Sequence, residues 1–476
     1  MNKKCQVFTP DNICNKMLDM ANYNSNLYGK KVLENSCGDG HVLTKIVVRY
    51  IEDCINNNIS VDKIKYGLEH DIYANEIDKI HRDNCVIQLN DIIREYGIAD
   101  VNWNISKKDY LREDMKVKFD YIIGNPPYIT YRELESGTRE FVRNEFSCCK
   151  TGKFDYCYAF IEKSLLDLSK NGVLVYIIPS SIFKNKFGYE LRNLLKVNIT
   201  EIIDFKNIKV IPNALTSTAI IKVDKKCSRN EIKYLDYSIN DELMINKENL
   251  GIKWNFDYIN EEKEYRFGDF FNCSISIATL LNKIFIIPEY TESDEYIYFK
   301  ENKIEKNIVK NAASPRNLNY KRKEKIIFPY FYNKKGINKY SEKEFKKNFP
   351  LTYNYLLMNK ELLLKRCSDK NSKWYEFGRS QALVHLNQPK ILCSTIVTNE
   401  VKAYLLKKDD IPYSGIYITS KNNSDLKFAI NILNSQKFLE YVYKVGINAS
   451  GNSMRITPND IERFTFEKED YELWKN

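Results

Sequence analysis

Phe119-Asp120-Tyr121-Ile122-Ile123-Gly124-Asn125-Pro126-Pro127-Tyr128 is the stretch that decides the fold. Its first five residues are mostly apolar or aromatic, which predicts a buried strand over 119–123. The two consecutive prolines lack N–H groups and restrict φ, so a stiff turn must follow the strand directly. A short buried strand that ends in a rigid polar turn is typical of an α/β sheet, in which functional groups gather where the strands end.

The segments on both sides of this stretch alternate between strand-like and helix-like patterns. The predicted strands are 31–34, 65–69, 119–123, 172–178, 201–205 and 218–223, and the predicted helices are 42–54, 73–89 and 158–168. Such alternation indicates βαβ units. We therefore predict a Rossmann-like α/β domain with a doubly wound, mostly parallel sheet that binds its ligand at the carboxyl ends of the strands.

The alternation stops near residue 235, so we expect one domain over 1–235 and a second, mixed α+β domain over 236–476. Within the second domain, residues 301–380 carry a net charge of +12, whereas the rest of the chain carries −2. The same segment is rich in aromatic residues. Cations mixed with aromatics are typical of a nucleic-acid surface, but a solvated basic surface over an ordinary aromatic core has the same composition.

Several classes of protein are disfavoured. No apolar run is long enough for a membrane helix and the N-terminus lacks the apolar core of a signal peptide, so we expect a cytoplasmic protein. The 12 cysteines and 4 histidines show no spacing typical of a metal site. We expect no metal, and cysteines that are reduced structural thiols.

Small and acidic residues follow the first predicted strand, in the turn Glu34-Asn35-Ser36-Cys37-Gly38-Asp39-Gly40. Its glycines allow a tight turn close to a ligand. The turn lacks the first glycine of the pyrophosphate-binding pattern and contains acids, which favours a cationic, amino-acid-bearing ligand such as a sulfonium cofactor; a plain strand-to-helix turn is the alternative. Glu69, at the end of the predicted second strand, is placed to bind a ribose diol. Further on, Asp109 can accept from an adenine amino group while its neighbour lies against the base.

The turn Asn125–Tyr128 suits a planar amino group. The side-chain oxygen of Asn125 and the carbonyl of Pro126 can accept both hydrogens of one NH₂, which draws the nitrogen lone pair out of conjugation. Tyr128 offers a flat face for stacking. An ordinary proline-rich turn is the alternative.

Taken together, Phe8-Thr9-Pro10, the 34–40 turn, Glu69, Asp109 and Asn125–Tyr128 resemble the amino-group DNA methyltransferases that methylate adenine N6. The closest resemblance is to their gamma group, in which the cofactor motif precedes the catalytic motif and a recognition domain follows. It implies a class I methyltransferase domain over 1–235 and a DNA target-recognition domain over 236–476. It also implies that Asn125, Pro126 and Tyr128 are the catalytic residues.

The same resemblance implies S-adenosylmethionine as cofactor. The residues that it places around this cofactor are Phe8, Thr9, Pro10, Glu34, Ser36, Cys37, Gly38, Gly40, Glu69, His70, Asp109, Tyr110, Asn125, Pro127 and Phe160. Thr9 followed by Pro10 is also an ordinary way to start a helix, so this pair fits either interpretation.

Adenine N6 lies inside the duplex stack, so the resemblance implies that the base is flipped out and stacked on Tyr128. The family commonly has a second aromatic residue on the other face of the base. The matching segment here is 209–214, with Ile211 at the expected position. Either Ile211 makes a one-sided apolar contact, or another aromatic such as Phe205 reaches the base.

We expect double-stranded DNA as the partner of a monomer, with no membrane involved and with a separately encoded restriction endonuclease if the enzyme is not an orphan. The residues expected to approach DNA are Arg132, Arg139 and Arg143 after the catalytic turn, and Arg379 and Gln381 in the second domain. The last two are of the types that read guanine and adenine edges. The alternatives are methylation of RNA, methylation of a protein glutamine amide, and a catalytically inactive DNA-binding subunit.

Overall fold

The computed structural model describes residues 8–212, 217–256, 264–333 and 336–475. They form two compact units. The first comprises Met1–Tyr258 with Ser450–Asn452, and the second comprises Ile259–Ala449 with Ser453–Asn476.

The first unit is an α/β domain. Its helices are α1 (Asp11–Met20), α2 (His41–Asn56), α3 (Val61–His70), α4 (Lys79–Glu95), α5 (Ser136–Glu145), α6 (Cys157–Asp167) and α7 (Tyr189–Asn198). Its strands are β1 (Val32–Glu34), β2 (Ile72–Asn75), β3 (Asn104–Ser106), β4 (Phe119–Gly124), β5 (Leu168–Pro179), β6 (Ile199–Asp204), β7 (Thr218–Asp224), β8 (Glu231–Asp236) and β9 (Asp241–Asn246).

These nine strands form one sheet in the order β3-β2-β1-β4-β5-β7-β6-β8-β9. Strands β1 to β5 are mutually parallel, and β7 is antiparallel to both of its neighbours. Strand β1 lies between β2 and β4, so the strand order reverses there and a crevice opens at the carboxyl ends of β1 and β4. The predicted Rossmann-like, mostly parallel sheet is confirmed.

Side chains on the central strands pack to both faces of the sheet. On β4, Ile122 belongs to one buried cluster and Ile123 to the other, because successive strand residues point to opposite faces. Helices α1 to α4 contribute to the cluster on the Ile123 side, and α5 to α7 contribute to the cluster on the Ile122 side. Burial on both faces explains why these strands are almost entirely apolar in sequence.

One predicted strand is wrong. Residues 65–69 lie in helix α3, and the second strand is β2, which starts at Ile72. The predicted helix over 73–89 accordingly begins only at Lys79. The buried residues of α3 are Ile64, Gly67 and Leu68, which have helical spacing. At Gly67 a Cβ atom would lie only 2.0 Å from the Tyr50 hydroxyl oxygen, so the glycine is required by helix packing.

The boundary expected at residue 235 falls inside β8. This strand pairs in parallel with β6, and β9 then pairs with it antiparallel. The sheet of the first unit therefore continues beyond residue 235, because β8 and β9 extend its edge.

The second unit has the mixed α+β character that was predicted. Its helices are α8 (Phe267–Phe270), α9 (Asn282–Phe285), α10 (Pro315–Asn319), α11 (Glu342–Asn348), α12 (Pro350–Met358), α13 (Lys360–Leu364), α14 (Leu426–Leu433), α15 (Gln436–Val445), α16 (Pro458–Glu462) and α17 (Lys468–Lys475). In the part of the chain that the structure describes, no helix is both long and apolar enough to span a membrane.

The strands of the second unit form several small sheets. They are β10 (Tyr265–Arg266), β11 (Phe271–Ile275), β12 (Ile286–Ile287), β13 (Thr291–Glu292), β14 (Tyr296–Phe299), β15 (Asn302–Glu305), β16 (Val309–Ala313), β17 (Glu324–Ile327), β18 (Tyr330–Asn333), β19 (Gly336–Lys339), β20 (Lys390–Cys393), β21 (Ile396–Val397), β22 (Tyr404–Leu406), β23 (Asp410–Pro412), β24 (Ile416–Ser420), β25 (Ile447–Ser450), β26 (Ser453–Arg455) and β27 (Thr465–Phe466).

Gly40, which precedes α2, has a φ of +95° and leaves no room for a side chain, since a Cβ atom there would lie 2.7 Å from Cys85 Sγ. We predict that Gly40→Ala lowers the free energy of unfolding by about 2–4 kcal/mol. Two costs add: the strain of a side chain at a left-handed backbone conformation, and the overpacking against Cys85. Gly97→Ala is the matched control, since its φ of +69° is also positive but nothing lies within 4 Å. Gly97→Ala should lower the free energy of unfolding by only about 1–2 kcal/mol, because backbone strain is its only cost. Urea unfolding followed by circular dichroism measures both, and equal losses would contradict the packing argument.

Candidate active site

The site lies where β1 and β4 end, at the reversal of the strand order. Two cavities meet there and share Ser36, Glu76 and Pro127 as lining residues. The turn cavity, of about 120 Å³, is lined by Phe8, Thr9, Glu34, Ser36, Cys37, Gly38, His41, Val42, Glu76, His81, Asn125, Pro126, Pro127 and Tyr128. The acidic cavity, of about 330 Å³, is lined by Asn35, Ser36, Asn75, Glu76, Ile77, Asp78, Lys108, Asp109, Tyr110, Pro127, Ile129, Glu133, Leu134, Glu135, Thr138, Tyr156 and Phe160.

Hydrogen bonds hold Asn125 on both its backbone and its side chain. The Ser36 hydroxyl donates to the Asn125 carbonyl over 3.0 Å, and the Asn125 amide nitrogen donates to Thr9 Oγ1 over 3.2 Å. Thr9 is buried, so this second contact lies away from bulk water. The amide therefore turns its nitrogen toward Thr9 and its oxygen to the other side.

Tyr128 is fixed at its far end. Its hydroxyl donates to the carbonyl of Ile177, on β5, over 3.0 Å. Burial of this hydroxyl raises the Tyr128 pKa well above its ordinary value, so the side chain stays neutral. The ring is thus held as a rigid wall of the turn cavity, as stacking on a planar group requires.

Glu76 anchors the turn that follows β1. One carboxylate oxygen accepts from the Gly38 N–H over 2.9 Å, and the other accepts from the Asp78 N–H over 2.7 Å. Glu76 follows directly after β2 and lines both cavities. It therefore occupies the strand-end position that the sequence interpretation assigned to Glu69.

The prediction that Glu69 and His70 lie at the cofactor site is wrong in its placement. Both residues belong to α3, before β2 begins. Glu69 accepts from the Asn102 N–H over 2.9 Å, and the exposed His70 ring stacks on Tyr66 with centroids 4.0 Å apart. The apolar run Ile72-Tyr73-Ala74 followed by Asn75 and Glu76 was the signal for the strand and its terminal acid.

Three buried acceptor atoms in residues that line the cavities have no hydrogen-bond partner among the described residues. They are Glu34 Oε2, Asn35 Oδ1 and Asn75 Oδ1, in side chains that are each 2% exposed. A buried acceptor without a donor costs about 1–3 kcal/mol, so these atoms indicate a ligand rich in hydrogen-bond donors. Burial raises the Glu34 pKa well above its ordinary value. The neighbouring Cys85 side chain adds to this rise, and a hydrogen bond from the Leu43 backbone opposes it.

The acidic cavity combines carboxylates with a flat apolar slot. Pro127 and Phe160 both line it, and the Phe160 ring packs against Tyr110 and Tyr156 with centroids 5.6 and 5.4 Å away. Asp109 accepts from the Leu111 N–H over 3.0 Å and pairs with Arg112 at 3.4 Å. The structure thus brings together four predicted residues, Asp109, Tyr110, Pro127 and Phe160. No described group of three or more His, Cys, Asp or Glu side chains is arranged to hold a metal ion.

Most of the other predicted cofactor residues also meet at the turn cavity. Phe8, Thr9, Glu34, Ser36, Cys37 and Gly38 line it, whereas Pro10 and Gly40 act next to it, as the residues that precede α1 and α2. Two further residues that line this cavity, both histidines, were not predicted from the sequence. His41 packs against the Phe8 ring at 4.8 Å, and His81 Nδ1 lies 2.5 Å from Asp39 Oδ1. His81 is on α4, far from any motif, so only the fold could reveal it.

The predicted base contact of Ile211 does not fit the structure. Ile211 is 1% exposed and packs in the same core cluster as Phe205, which is 0% exposed. Neither side chain lines the turn cavity or the acidic cavity. Both are apolar residues that the sheet core buries, and positions 213 and 214 of the same segment lie outside the described residues.

The predicted DNA-contacting residues differ in their availability. Arg132 is exposed. Arg139 and Arg143 lie over the Tyr131 ring, 5.2 and 5.0 Å from its centroid, and Arg143 also donates to the Gly152 carbonyl over 2.7 Å. Arg379 pairs with Asp369 at 2.6 Å, which lowers the Asp369 pKa. Gln381 is exposed in a short 3₁₀ turn.

Most aromatic residues of the basic segment 301–380 form a core. Phe345 and Tyr375, for example, are 0% exposed and stack with ring centroids 5.1 Å apart. Tyr320 and Phe331 are the exceptions, at 61% and 37% exposed. Most aromatic residues of segment 301–380 therefore belong to an ordinary hydrophobic core, which was one of the two interpretations of the sequence.

Residues 24–211 match the family model described as Eco57I restriction-modification methylase. These residues are therefore similar to restriction-modification methylases. The chain is 26% identical over 365 residues to the type II restriction enzyme and methyltransferase RM.Eco57I of Escherichia coli, covering 67% of this chain and 36% of that protein. It is 28% identical over 233 residues to the type II methyltransferase M.BstVI of Geobacillus stearothermophilus, covering 46% and 41%. The chain thus spans well under half the length of these relatives.

Two solved structures share the fold of this chain. One is the type IIL restriction-modification enzyme MmeI in complex with DNA, with a TM-score of 0.63, 14% identity and coverage of 97% of this chain and 66% of that one. The other is a nuclease-deletion mutant of the type ISP enzyme LlaGI with a DNA substrate mimic, with a TM-score of 0.56, 12% identity and coverage of 99% and 46%. The resemblance to amino-group DNA methyltransferases is confirmed at the level of the family, and the gamma group stays a prediction.

Asp155 pairs through its backbone with Thr130, just after the Asn125–Tyr128 turn, and burial together with the charge of Glu133 raises the Asp155 pKa from 3.8 to about 6. Between about pH 4 and 6 the folded protein therefore binds more protons than the unfolded chain, and stability falls as the pH rises. We predict that Asp155→Asn removes this loss of stability. The change in the free energy of unfolding caused by Asp155→Asn should therefore be more favourable at pH 8 than at pH 5, by about 1–3 kcal/mol. Urea midpoints at both pH values measure it.

Glu133→Gln serves as the control for this prediction. It removes only the second cause of the shift, so it should reduce the pH dependence in part. Equal pH dependence in the wild type and in Asp155→Asn would show that Asp155 titrates normally.

Proposed function

We propose that this protein transfers the methyl group of S-adenosylmethionine to the N6 amino group of an adenine that is flipped out of double-stranded DNA. The observation that carries the proposal is the position of the Asn125–Tyr128 turn. It forms one wall of a cavity whose other walls are the glycine-containing turn after β1 and the strand-end acid Glu76. A rigid hydrogen-bond acceptor site for an amino group therefore adjoins a site suited to a cationic, donor-rich cofactor.

The residues around the two cavities fit S-adenosylmethionine, which supplies an electrophilic methyl group on a sulfonium ion. Glu76 is suited to the ribose hydroxyls and Asp109 to the adenine amino group, since both are acceptors on the acidic cavity. Pro127 and Phe160 would flank the adenine ring. The amino-acid end has Thr9 and the 34–38 turn around it, where the unpartnered oxygen of Glu34 can accept from an ammonium group.

Asn125 and Pro126 prepare the acceptor nitrogen for attack. The hydrogen bond to Thr9 engages the Asn125 amide nitrogen, so the amide oxygen is the atom that would accept a substrate amino hydrogen. The Pro126 carbonyl supplies a second acceptor on a backbone that two prolines keep from reorganising. Acceptors already in place when charge develops lower the barrier, and one such contact is typically worth about 10²–10³ in rate.

Tyr128 gives the flipped base a surface on which to stack. Extrusion of a base costs a few kcal/mol, part of which stacking returns. The hydrogen bond to the Ile177 carbonyl fixes the ring in advance, so little side-chain entropy is lost when the base arrives.

The relatives support DNA as the substrate. The names of the curated relatives include type II methyltransferases, and two structures of the same fold contain DNA or a DNA mimic. We further propose that the second unit recognises the target sequence and that the protein acts in the cytoplasm as a monomer. A restriction endonuclease would be encoded separately. The E. coli relative, by contrast, has a name that joins both activities.

We expect the wild type to transfer a labelled methyl group from S-adenosylmethionine to mixed-sequence duplex DNA. In Asn125→Ala, transfer should fall by at least about 10²-fold, because one of the two acceptors for the amino group is lost. Cofactor affinity should change little, since Asn125 acts mainly on the acceptor side. Scintillation counting of the DNA and calorimetric titration of the cofactor measure the two quantities.

Asn171→Ala is the control for this experiment, because Asn171 is exposed and far from the carboxyl ends of the strands. Transfer to RNA or to protein, with none to DNA, would replace the proposal by one of its alternatives. Full activity in Asn125→Ala would exclude this residue from the mechanism.

Glu76 and Glu69 provide a paired test of the cofactor site. We predict that Glu76→Gln weakens S-adenosylmethionine binding by about 10–100-fold, because hydrogen bonds to a charged acceptor are worth about 1.5–3 kcal/mol. Glu69→Gln should leave the Kd within about twofold, since its side chain lies on α3. Calorimetric titration measures both. A stronger effect of Glu69→Gln would restore the original assignment.

A further inference from the structure

The cations of the basic segment 301–380 have different surroundings in the structure. Many are used inside the second unit. The Arg366 guanidinium donates to four backbone carbonyls, including those of Thr279 and Glu376, and Lys339 pairs with Glu376 at 2.7 Å. Lys310 pairs with Asp409 at 2.5 Å. These cations stabilise the fold, so they are poor candidates for contact with a partner.

A second group lies on the loop 316–323, which we call the basic loop. Arg316, Lys321, Arg322 and Lys323 are all exposed. Within the described residues, none of the four forms an ion pair with a carboxylate. The nearest acid in sequence, Glu324, is turned toward the base of the loop, where it accepts from the Tyr413 hydroxyl over 2.6 Å.

The base of the basic loop is held in place by hydrogen bonds. Ser314 caps the short helix α10 by accepting from the Asn317 N–H over 3.2 Å, and the Asn317 amide donates to the Tyr413 hydroxyl over 3.0 Å. The Arg322 N–H returns to the Asn317 carbonyl over 2.9 Å. Four cations are therefore presented by a braced backbone, which reduces the entropy lost when a ligand binds.

An aromatic side chain accompanies these cations. Tyr320 is 61% exposed, and the Arg322 guanidinium lies 5.5 Å from its ring centroid. An exposed tyrosine next to unpaired cations is typical of a surface that neutralises phosphates and contacts the sugar or base beside them. The chain outside 301–380 has a net charge of −2, so the excess positive charge belongs to this segment and not to the whole protein surface.

We propose that the basic loop binds the phosphate backbone of the DNA substrate. This inference rests on the proposed function and deepens it, because it assigns the polyanion contact to one loop of the second unit. Backbone contacts of this kind hold the duplex without reading its sequence, and their strength depends on released counterions. The basic loop therefore contributes affinity for any duplex.

The test uses the full chain and a mixed-sequence 30-base-pair duplex. The variant is Lys321→Gln/Arg322→Gln/Lys323→Gln, and its Kd is measured by fluorescence anisotropy across a salt series. Each phosphate contact contributes about 0.9 to the slope of log Kd against log salt, so we expect the slope to fall by about 2–3. The Kd for S-adenosylmethionine and the urea midpoint should not change.

Two controls separate charge from other effects. Lys30→Gln/Lys116→Gln/Lys170→Gln removes the same charge near the amino ends of β1, β4 and β5 in the first unit, away from the cavities. Its salt slope should match that of the wild type. The variant Lys321→Arg/Arg322→Lys/Lys323→Arg keeps the charge of the basic loop and should also keep the slope.

The possible outcomes are distinct. If the wild type binds duplex DNA and the Gln variant has the wild-type slope, the basic loop is not the contact and the proposed function stands. An equal loss of slope in the control at the amino ends, or in the charge-preserving variant, likewise overturns the inference. If the wild type binds no duplex DNA, the proposed function fails and the inference fails with it.

Discussion

The site depends on one constraint, the stiffness of the chain where β4 ends. Two prolines in sequence restrict two φ angles, which limits the movement of Asn125 relative to Tyr128 at the switch point of the sheet. Three elements then position this turn from outside. The Ser36 hydroxyl donates to the Asn125 carbonyl, and the Asn125 amide donates to Thr9. The Tyr128 hydroxyl donates to the Ile177 carbonyl. Because these contacts come from three parts of the chain, the acceptor geometry exists only once the whole first unit has folded.

The cavities beside this turn gather acceptors rather than donors. Glu34, Asn35 and Asn75 each bury an oxygen that has no partner among the described residues, a cost that a folded protein rarely carries without a ligand. The neighbouring wall adds Glu76 and Asp109. A cationic cofactor with a ribose and an amino group supplies the missing donors.

Charge and aromatic content have separate roles in the second unit. The rings of Phe345 and Tyr375 pack in its core, and cations such as Arg366 donate hydrogen bonds to groups within the unit. A group of exposed cations lies in the basic loop, where Tyr320 is exposed as well. Composition alone could not separate these roles, because burial depends on which side chains the fold brings together.

The sequence by itself determined the α/β fold, the Asn125–Tyr128 turn and most residues around the two cavities, because buried strands and proline turns are set by local pattern. The sequence-based prediction failed where a short apolar segment fits both the periodicity of a strand and that of a helix. Residues 65–69 look like a strand, yet Ile64 and Leu68 pack as a helix, which moved the strand-end acid from Glu69 to Glu76. Only the tertiary structure shows that Ile211 is buried, that His81 lies at the cavity and that the cations of the basic loop have no carboxylate partner among the described residues. These outcomes depend on contacts between residues far apart in the chain, which no local pattern encodes.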